Sequence, residues 1–139
     1  MAAQTAPGQV GWVPKGSLWA AQVVIFAVFV AAGSAKLLTP VDQLARQMSW
    51  TVEFPEMMVR ASGTIDVLGG IGILLPALTR IRPALGVIAA AACALLQVCA
   101  IVFHVWRGEA ATTALNWVLL ALSLFVWWGA RRRSRSARA

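Results

Sequence analysis

Charged residues are scarce in this chain, and their scarcity decides its broad class. Of its 139 residues only 12% are Asp, Glu, Lys or Arg, whereas 60% are hydrophobic. A typical soluble domain carries about 25% charged residues. The composition therefore excludes an ordinary soluble domain and indicates a protein that holds most of its surface in lipid.

Histidine and cysteine are also rare, which excludes several kinds of redox site. A single His cannot hold a haem between two histidines. Cys93 and Cys99 would lie about 9 Å apart along a helix, beyond the reach of about 7 Å that a disulfide allows. There is no C-x-x-C motif. We expect no metal site and no self-contained dithiol chemistry, and we expect both cysteines to be small buried apolar residues.

Long apolar runs are abundant. Each is close to the length of about 20 residues that a helix needs to cross the hydrocarbon core. The four runs cover roughly residues 18–38, 58–78, 83–105 and 111–130. Backbone polar groups find no partners in lipid, so the runs should be helices. We predict an all-α integral membrane protein, a four-transmembrane-helix bundle over residues 17–130.

The positive charges indicate how this bundle is oriented. Lys15, Arg80, Arg82 and the arginines of "RRRSRSARA" fall on one side of a four-span chain, without any acid. The positive-inside rule then places both ends in the cytoplasm. We predict a flexible N-terminal tail over residues 1–16 and a basic C-terminal tail over 131–139. We interpret the basic tail as a topology signal that contacts anionic lipid, and we expect no nucleic-acid partner.

The connection between the first two runs has a helical pattern of its own. Between two prolines, apolar residues recur at helical spacing and polar residues occupy the other face. The apolar set is Val41, Leu44, Ala45 and Met48. We predict a short amphipathic helix on the outer surface. It would be a lid over a cavity, a docking site, or only an interfacial connector.

Asp66 is the most unusual residue, because it lies inside an apolar run. A charge at bilayer depth costs about 2.5–3.5 kcal/mol, so it should face the interior beside a partner. The helical rise places Gln97 and Asn116 at a similar depth, with Lys36 and His104 nearer the outer surface. We predict an outward-opening polar pocket with Asp66 at its floor and Lys36 in reach of it.

Each of these residues also has a purely structural interpretation. In that interpretation a pair of Asp66 and Lys36 only holds helices together, as amide side chains do in many membrane bundles. His104 is either an interfacial polar cap or a proton relay, and its own helical face carries no acid. A quinone carbonyl or an oxyanion could accept hydrogen bonds from cationic groups here. The candidate ligand-binding residues are Lys36, Asp66, Gln97, His104, Arg107 and Asn116.

Four motifs give the chain a resemblance to a known family. They are "AAGSAKLL" with Gly33, Lys36 and Leu37, "DVLGGIGILLP" with Asp66, Gly69, Gly70, Gly72 and Pro76, "HVWRGE" with His104, Arg107, Gly108 and Glu109, and Asn116 in the last run. Together they resemble the DoxX-like family of small bacterial four-helix membrane proteins. Many relatives have Glu where this chain has Asp66.

The resemblance implies a place in the bacterial inner membrane and a link to redox chemistry. The family is similar to the small membrane subunit of thiosulfate:quinone oxidoreductase, so the first hypothesis is an accessory subunit of a quinone-linked complex. The alternatives are a proton-coupled small-molecule binder or transporter, and a non-catalytic scaffold of a larger envelope complex. Other membrane subunits or further copies of the chain are the expected protein partners. The sequence has no self-contained catalytic constellation, and whether it is an enzyme stays open.

Overall fold

A computed structural model of the chain describes residues 14–136, apart from the side chains of Pro83 and Ser136. Its helices are α1 (Lys15–Leu38), α2 (Val41–Leu44), α3 (Glu56–Thr79), α4 (Pro83–Trp106) and α5 (Ala114–Ser136). Four of the helical segments are long and apolar enough to cross a membrane. The predicted all-α four-helix membrane bundle is confirmed.

Most helix ends agree with the predicted runs to within a few residues, and prolines account for four of the five helix starts. Pro14, Pro40 and Pro55 immediately precede α1, α2 and α3, and Pro83 is the first residue of α4. Proline suits the start of a helix because the first N–H groups have no helical acceptor. The largest difference is in α5, which continues through Ser136 and so includes part of the predicted basic tail. Most of the predicted N-terminal tail lies outside the described residues.

The four long helices form a ring in which α1 and α4 each contact both α3 and α5. We call the α3–α4 connection, residues 80–82, the turn end of the bundle. The opposite end carries the α1–α3 and α4–α5 connections, residues 39–55 and 107–113, and we call it the loop end. The core between the helices includes Ile25, Phe29, Ile73, Cys93 and Val126.

Glycines set the closest helix contacts. A Cβ atom on Gly33 would lie 2.6 Å from the Gly63 carbonyl oxygen, so α1 and α3 touch backbone to backbone near the loop end. A Cβ atom on Gly129 would lie 2.5 Å from a methyl group of Leu18, which closes α1 against α5 near the turn end. Such contacts hold membrane helices together where lipid offers no hydrophobic driving force.

The α1–α3 connection contains a shorter helix than its sequence pattern predicted. α2 ends at Leu44, and the chain then passes through turns into a 3₁₀ helix over Ser49–Val52. The chain leaves the helix because Trp50 packs edge-on against Phe54 and Phe103, with ring centroids 6.2 and 6.1 Å away. The connection is thereby drawn inward over the loop end of the bundle.

Candidate functional site

A cavity of about 740 Å³ lies at the loop end, between the helices and beneath the α1–α3 connection. Much of its wall is apolar, with a few polar side chains from all four long helices. Five of the six predicted site residues line it, namely Lys36, Asp66, Gln97, His104 and Asn116. The arrangement has the usual form of a small-molecule site, in which a few polar groups are set in an apolar wall.

Lys36 and Asp66 form an ion pair in this wall. The Lys36 ammonium donates a hydrogen bond to the Asp66 carboxylate at 2.7 Å, and the two side chains are only 14% and 18% exposed. The glycine contact brings the antiparallel helices close enough for the pair. Lys36 lies one turn from Gly33 toward the loop end and Asp66 lies one turn from Gly63 in the opposite direction, so the long Lys36 side chain spans the difference. An ammonium has three N–H donors, and the bond to Asp66 uses one of them. The Lys36 nitrogen also lies 5.6 Å from the centre of the Trp50 ring, within cation–π range.

Gln97 and Asn116 form a second polar pair, which joins α4 to α5. The Asn116 amide donates to the Gln97 carbonyl oxygen at 2.8 Å. The Gln97 side chain is buried and that of Asn116 is partly buried. Each amide has both a donor and an acceptor group, so the pair also brings the Gln97 N–H group and the Asn116 oxygen to the cavity wall.

A network of three charged side chains and one hydroxyl group closes the loop end. We call its members, Ser49, Glu53, Arg107 and Glu109, the clasp. Arg107 donates to both oxygens of Glu53 and, at 3.0 Å, to Glu109. Ser49 also donates to Glu109, at 3.1 Å. The clasp therefore ties the α1–α3 connection to the α4–α5 connection.

The three ionisable groups of the clasp, Glu53, Arg107 and Glu109, are charged at neutral pH. Hydrogen bonds from Arg107 and then from His104 lower the pKa of Glu109 to about 2. The hydrogen bond from Arg107 also lowers the pKa of Glu53, and these two carboxylates raise the pKa of Arg107. Arg107 does not line the cavity, and its guanidinium faces carboxylates of the protein rather than a ligand site.

His104 has an acidic partner that its own helical face does not contain. Its Nδ1 lies 2.9 Å from Glu109, which also lines the cavity. Glu109 follows the end of α4, and the chain turns back at Gly108, whose φ of 76° suits glycine. The helical face of His104 carries no acid, as expected, and the turn at Gly108 brings in Glu109 from beyond the end of α4. The "HVWRGE" motif was the sequence signal for this contact.

Two further groups near the cavity were missed from the sequence. The first is the aromatic cluster of Trp50, Phe54 and Phe103, all of which line the cavity. The second is Arg60, whose guanidinium donates to the carbonyl oxygens of Lys36 and Thr39 at the end of α1. Those carbonyls lack helical partners, so Arg60 fixes the turn that carries Lys36. The available signal was a charged residue, Arg60, near the start of an apolar run.

The two cysteines differ in their surroundings. Cys93 is buried, as expected, but Cys99 is exposed and lines the cavity, so the expectation was wrong for Cys99. Six residues turn a helix by about 240°, so both thiols cannot face the same core. Across residues 14–136, no three His, Cys, Asp or Glu side chains are grouped as metal ligands would be.

Comparison with known proteins identifies the family. A search of curated proteins and a search of solved structures each found no match. The model of the DoxX-like family matches residues 20–126, a range that covers most of the chain and includes all six predicted site residues. The chain therefore belongs to the DoxX-like family, as its motifs predicted.

Proposed function

We propose that this chain is a small membrane subunit of a quinone-linked redox complex, and that it binds a quinone headgroup in the loop-end cavity. The observation that carries the proposal is the cavity itself, in which an aromatic wall is combined with hydrogen-bond donors and acceptors from different helices. Membership of the DoxX-like family supports the membrane setting. The similarity of this family to the small membrane subunit of thiosulfate:quinone oxidoreductase motivates the choice of ligand.

The polar groups suit both redox forms of a quinone. Carbonyl oxygens of the oxidised form accept hydrogen bonds, and the Lys36 ammonium and the Gln97 amide are donors. Hydroxyl groups of the reduced form donate, and the Asp66 carboxylate and the Asn116 oxygen are acceptors. Trp50 and the phenylalanines offer flat apolar surfaces against which the ring would pack.

Reduction of a quinone to a quinol takes up two electrons and two protons. In this proposal a partner oxidoreductase subunit supplies the electrons from its own redox group. The chain described here binds the ring, and His104 passes the two protons to it one after the other, taking each from water on the outer side. Glu109 holds the Nδ1 side of His104, so the other ring nitrogen is the one that would exchange a proton with a quinone oxygen.

The proposed orientation follows from the charges. Arg80 and Arg82 lie at the turn end, as do Lys15 at the start of α1 and the arginines at the end of α5. We infer that this end faces the cytoplasm of a bacterium and that the cavity lies toward the outer side of the inner membrane. A partner subunit, or a second copy of the chain, would then meet the cavity from that side.

A second candidate function is a proton-coupled small-molecule binder. The observation that favours it is the partly exposed Lys36–Asp66 pair, because ionisable groups within a membrane commonly mark proton and substrate pathways. In the first proposal Asp66 only orients a ring, whereas in the second it must gain and lose a proton. Asp66→Asn would therefore weaken quinone binding in the first case and abolish pH-dependent uptake in the second.

Native mass spectrometry of the protein, released gently from its own membrane with lipids kept bound, tests the proposal. We expect an adduct with the mass of a quinone whose share of the protein signal falls in Asp66→Asn and in His104→Ala. Asp42→Asn, an exposed carboxylate on α2, is the matched control and should keep the adduct. If the protein carries no small-molecule adduct and is found only in complex with another polypeptide, the result would contradict the proposal and favour a scaffold.

A further inference from the structure

The cavity separates α3 from α4 on one side of the bundle. Near the turn end these helices are in contact, because a Cβ atom on Gly72 would lie 3.2 Å from Ala89 and one on Gly69 would lie 3.1 Å from the Cys93 sulfur. Toward the loop end, residues of both helices face the cavity instead. Met58 and Ser62 line it from α3, and Cys99 and Phe103 line it from α4.

This gap reaches the outer surface of the bundle. Met58 is 55% exposed and Cys99 is also exposed, although both line the cavity. Both lie within the segments that are apolar enough to span a membrane. Cys99 lies seven residues before the end of α4, which is about 10 Å along the helix. Met58, the third residue of α3, lies nearer the membrane surface, so the gap extends from the interface into the hydrocarbon region.

A second concavity, of about 390 Å³, lies on the outer face of α4. It is lined by Val98, Cys99, Val102, Phe103 and Trp106, and it shares Cys99 and Phe103 with the main cavity. We call it the α4 groove. Its lining side chains offer almost nothing that would satisfy the backbone of a peptide, which needs hydrogen-bond partners in lipid. A hydrocarbon chain has no polar groups and needs no such partners.

We infer that the gap between α3 and α4 is a lateral portal for a ligand with a long apolar tail. The headgroup occupies the cavity, the tail leaves between Met58 and Cys99, and it then lies along the α4 groove. This inference rests on the proposed function and specifies the ligand class, a membrane-dissolved quinone with an isoprenoid tail. The main cavity and the α4 groove adjoin at Cys99 and Phe103, which line both, and this adjacency is what favours this occupant.

The test compares two quinones that share a headgroup, one without a tail and one with a tail of several isoprene units, on the full chain in lipid nanodiscs. Met58→Trp would fill the portal. Met57→Trp is the matched control, because Met57 is 81% exposed and does not line the cavity. We expect Met58→Trp to weaken binding of the tailed quinone about tenfold or more, the scale of an unrelieved steric clash. Binding of the tailless quinone should fall much less than that of the tailed quinone in Met58→Trp, and binding of both should stay unchanged in Met57→Trp.

A photoreactive group at the far end of the tail gives an independent measurement. We expect it to label peptides that contain residues 98–106 in the wild-type protein, and Leu95→Trp, a lipid-facing change outside both cavities, should not alter that pattern.

Three results would overturn the portal while leaving the proposed function intact. In the first, Met58→Trp binds the tailed quinone as tightly as the wild type does. In the second, Met58→Trp weakens binding of both quinones equally. In the third, the photoreactive group labels only the loop-end connections. If the wild-type protein binds neither quinone, the proposed function fails and the portal fails with it.

Discussion

The turn end and the loop end of the bundle are built in different ways from the same four helices. At the turn end, small residues allow close packing, as at Gly129 against Leu18 and at Gly72 against Ala89. At the loop end, one glycine crossing holds α1 to α3, and hydrogen-bonded pairs line a cavity between the helices. The comparison shows how a small membrane protein keeps a site open. Close packing leaves no space for a site at the turn end, whereas the glycine crossing and the polar pairs hold the loop end together around an open cavity.

The largest expected effect comes from breaking the Lys36–Asp66 pair. Asp66→Leu leaves the Lys36 charge without its partner in a mostly buried position, and removal of one member of such a pair costs about 3–5 kcal/mol. The measurement is the free energy of unfolding in mixed micelles. The double variant Lys36→Met/Asp66→Leu removes both charges and should recover most of the loss. A single variant as stable as the wild type would show that the pair is not a structural element of the loop end.

The next effect comes from the glycine crossing. Gly33→Val places side-chain atoms where the Gly63 carbonyl already lies, so α1 and α3 must move apart. We expect a loss of about 1–3 kcal/mol in the free energy of unfolding, as for other overpacked contacts. Gly16→Val is the control, since no atom lies within 4 Å of its Cβ position. Equal stability of the two variants would mean that the crossing does not hold the loop end together.

The clasp should be important locally rather than globally. Arg107→Ala removes the bonds to Glu53 and Glu109 that tie the two loop-end connections together. We expect faster amide hydrogen exchange over residues 45–54, with exchange in the turn-end halves of the helices unchanged. Arg46→Ala, an exposed arginine of the same connection, should have no such effect. Unchanged exchange in Arg107→Ala would show that the aromatic cluster alone keeps the connection in place.

The smallest effect is a pH dependence confined to the clasp. Folding lowers the pKa of Glu109 from 4.5 to about 2 and also lowers that of Glu53. A lowered pKa contributes stability above the unfolded value, and that stability is lost as the pH falls through the folded value. Hydrogen exchange of residues 45–54 should therefore be slow at pH 5 and, after correction for intrinsic rates, rise between pH 4 and about 2. In Glu109→Gln this rise should be smaller, and a rise centred near pH 6 would contradict the assignment to the carboxylates.

Much of the site followed from periodicity along single helices. The depth of Asp66, Gln97 and Asn116 depends only on helical rise and on where each apolar run begins. Lys36 was expected within reach of Asp66 for the same reason, and the two do pair. The predicted burial of Cys99 was wrong, because Cys93 and Cys99 were treated alike although they point in different directions from α4.

The sequence by itself determined the membrane class, the number of spanning helices and the family, because lipid imposes helical hydrogen bonding on each apolar run separately. Only the tertiary structure decided which side chains meet across the loop end. Arg107 and Glu53 are 54 residues apart, and Trp50 and Phe103 are nearly as distant. Such contacts depend on how two irregular connections fold over the bundle, and no periodic pattern encodes that path. The cavity is decided in the same way, because it is the space left when glycine contacts draw some helix ends together and not others.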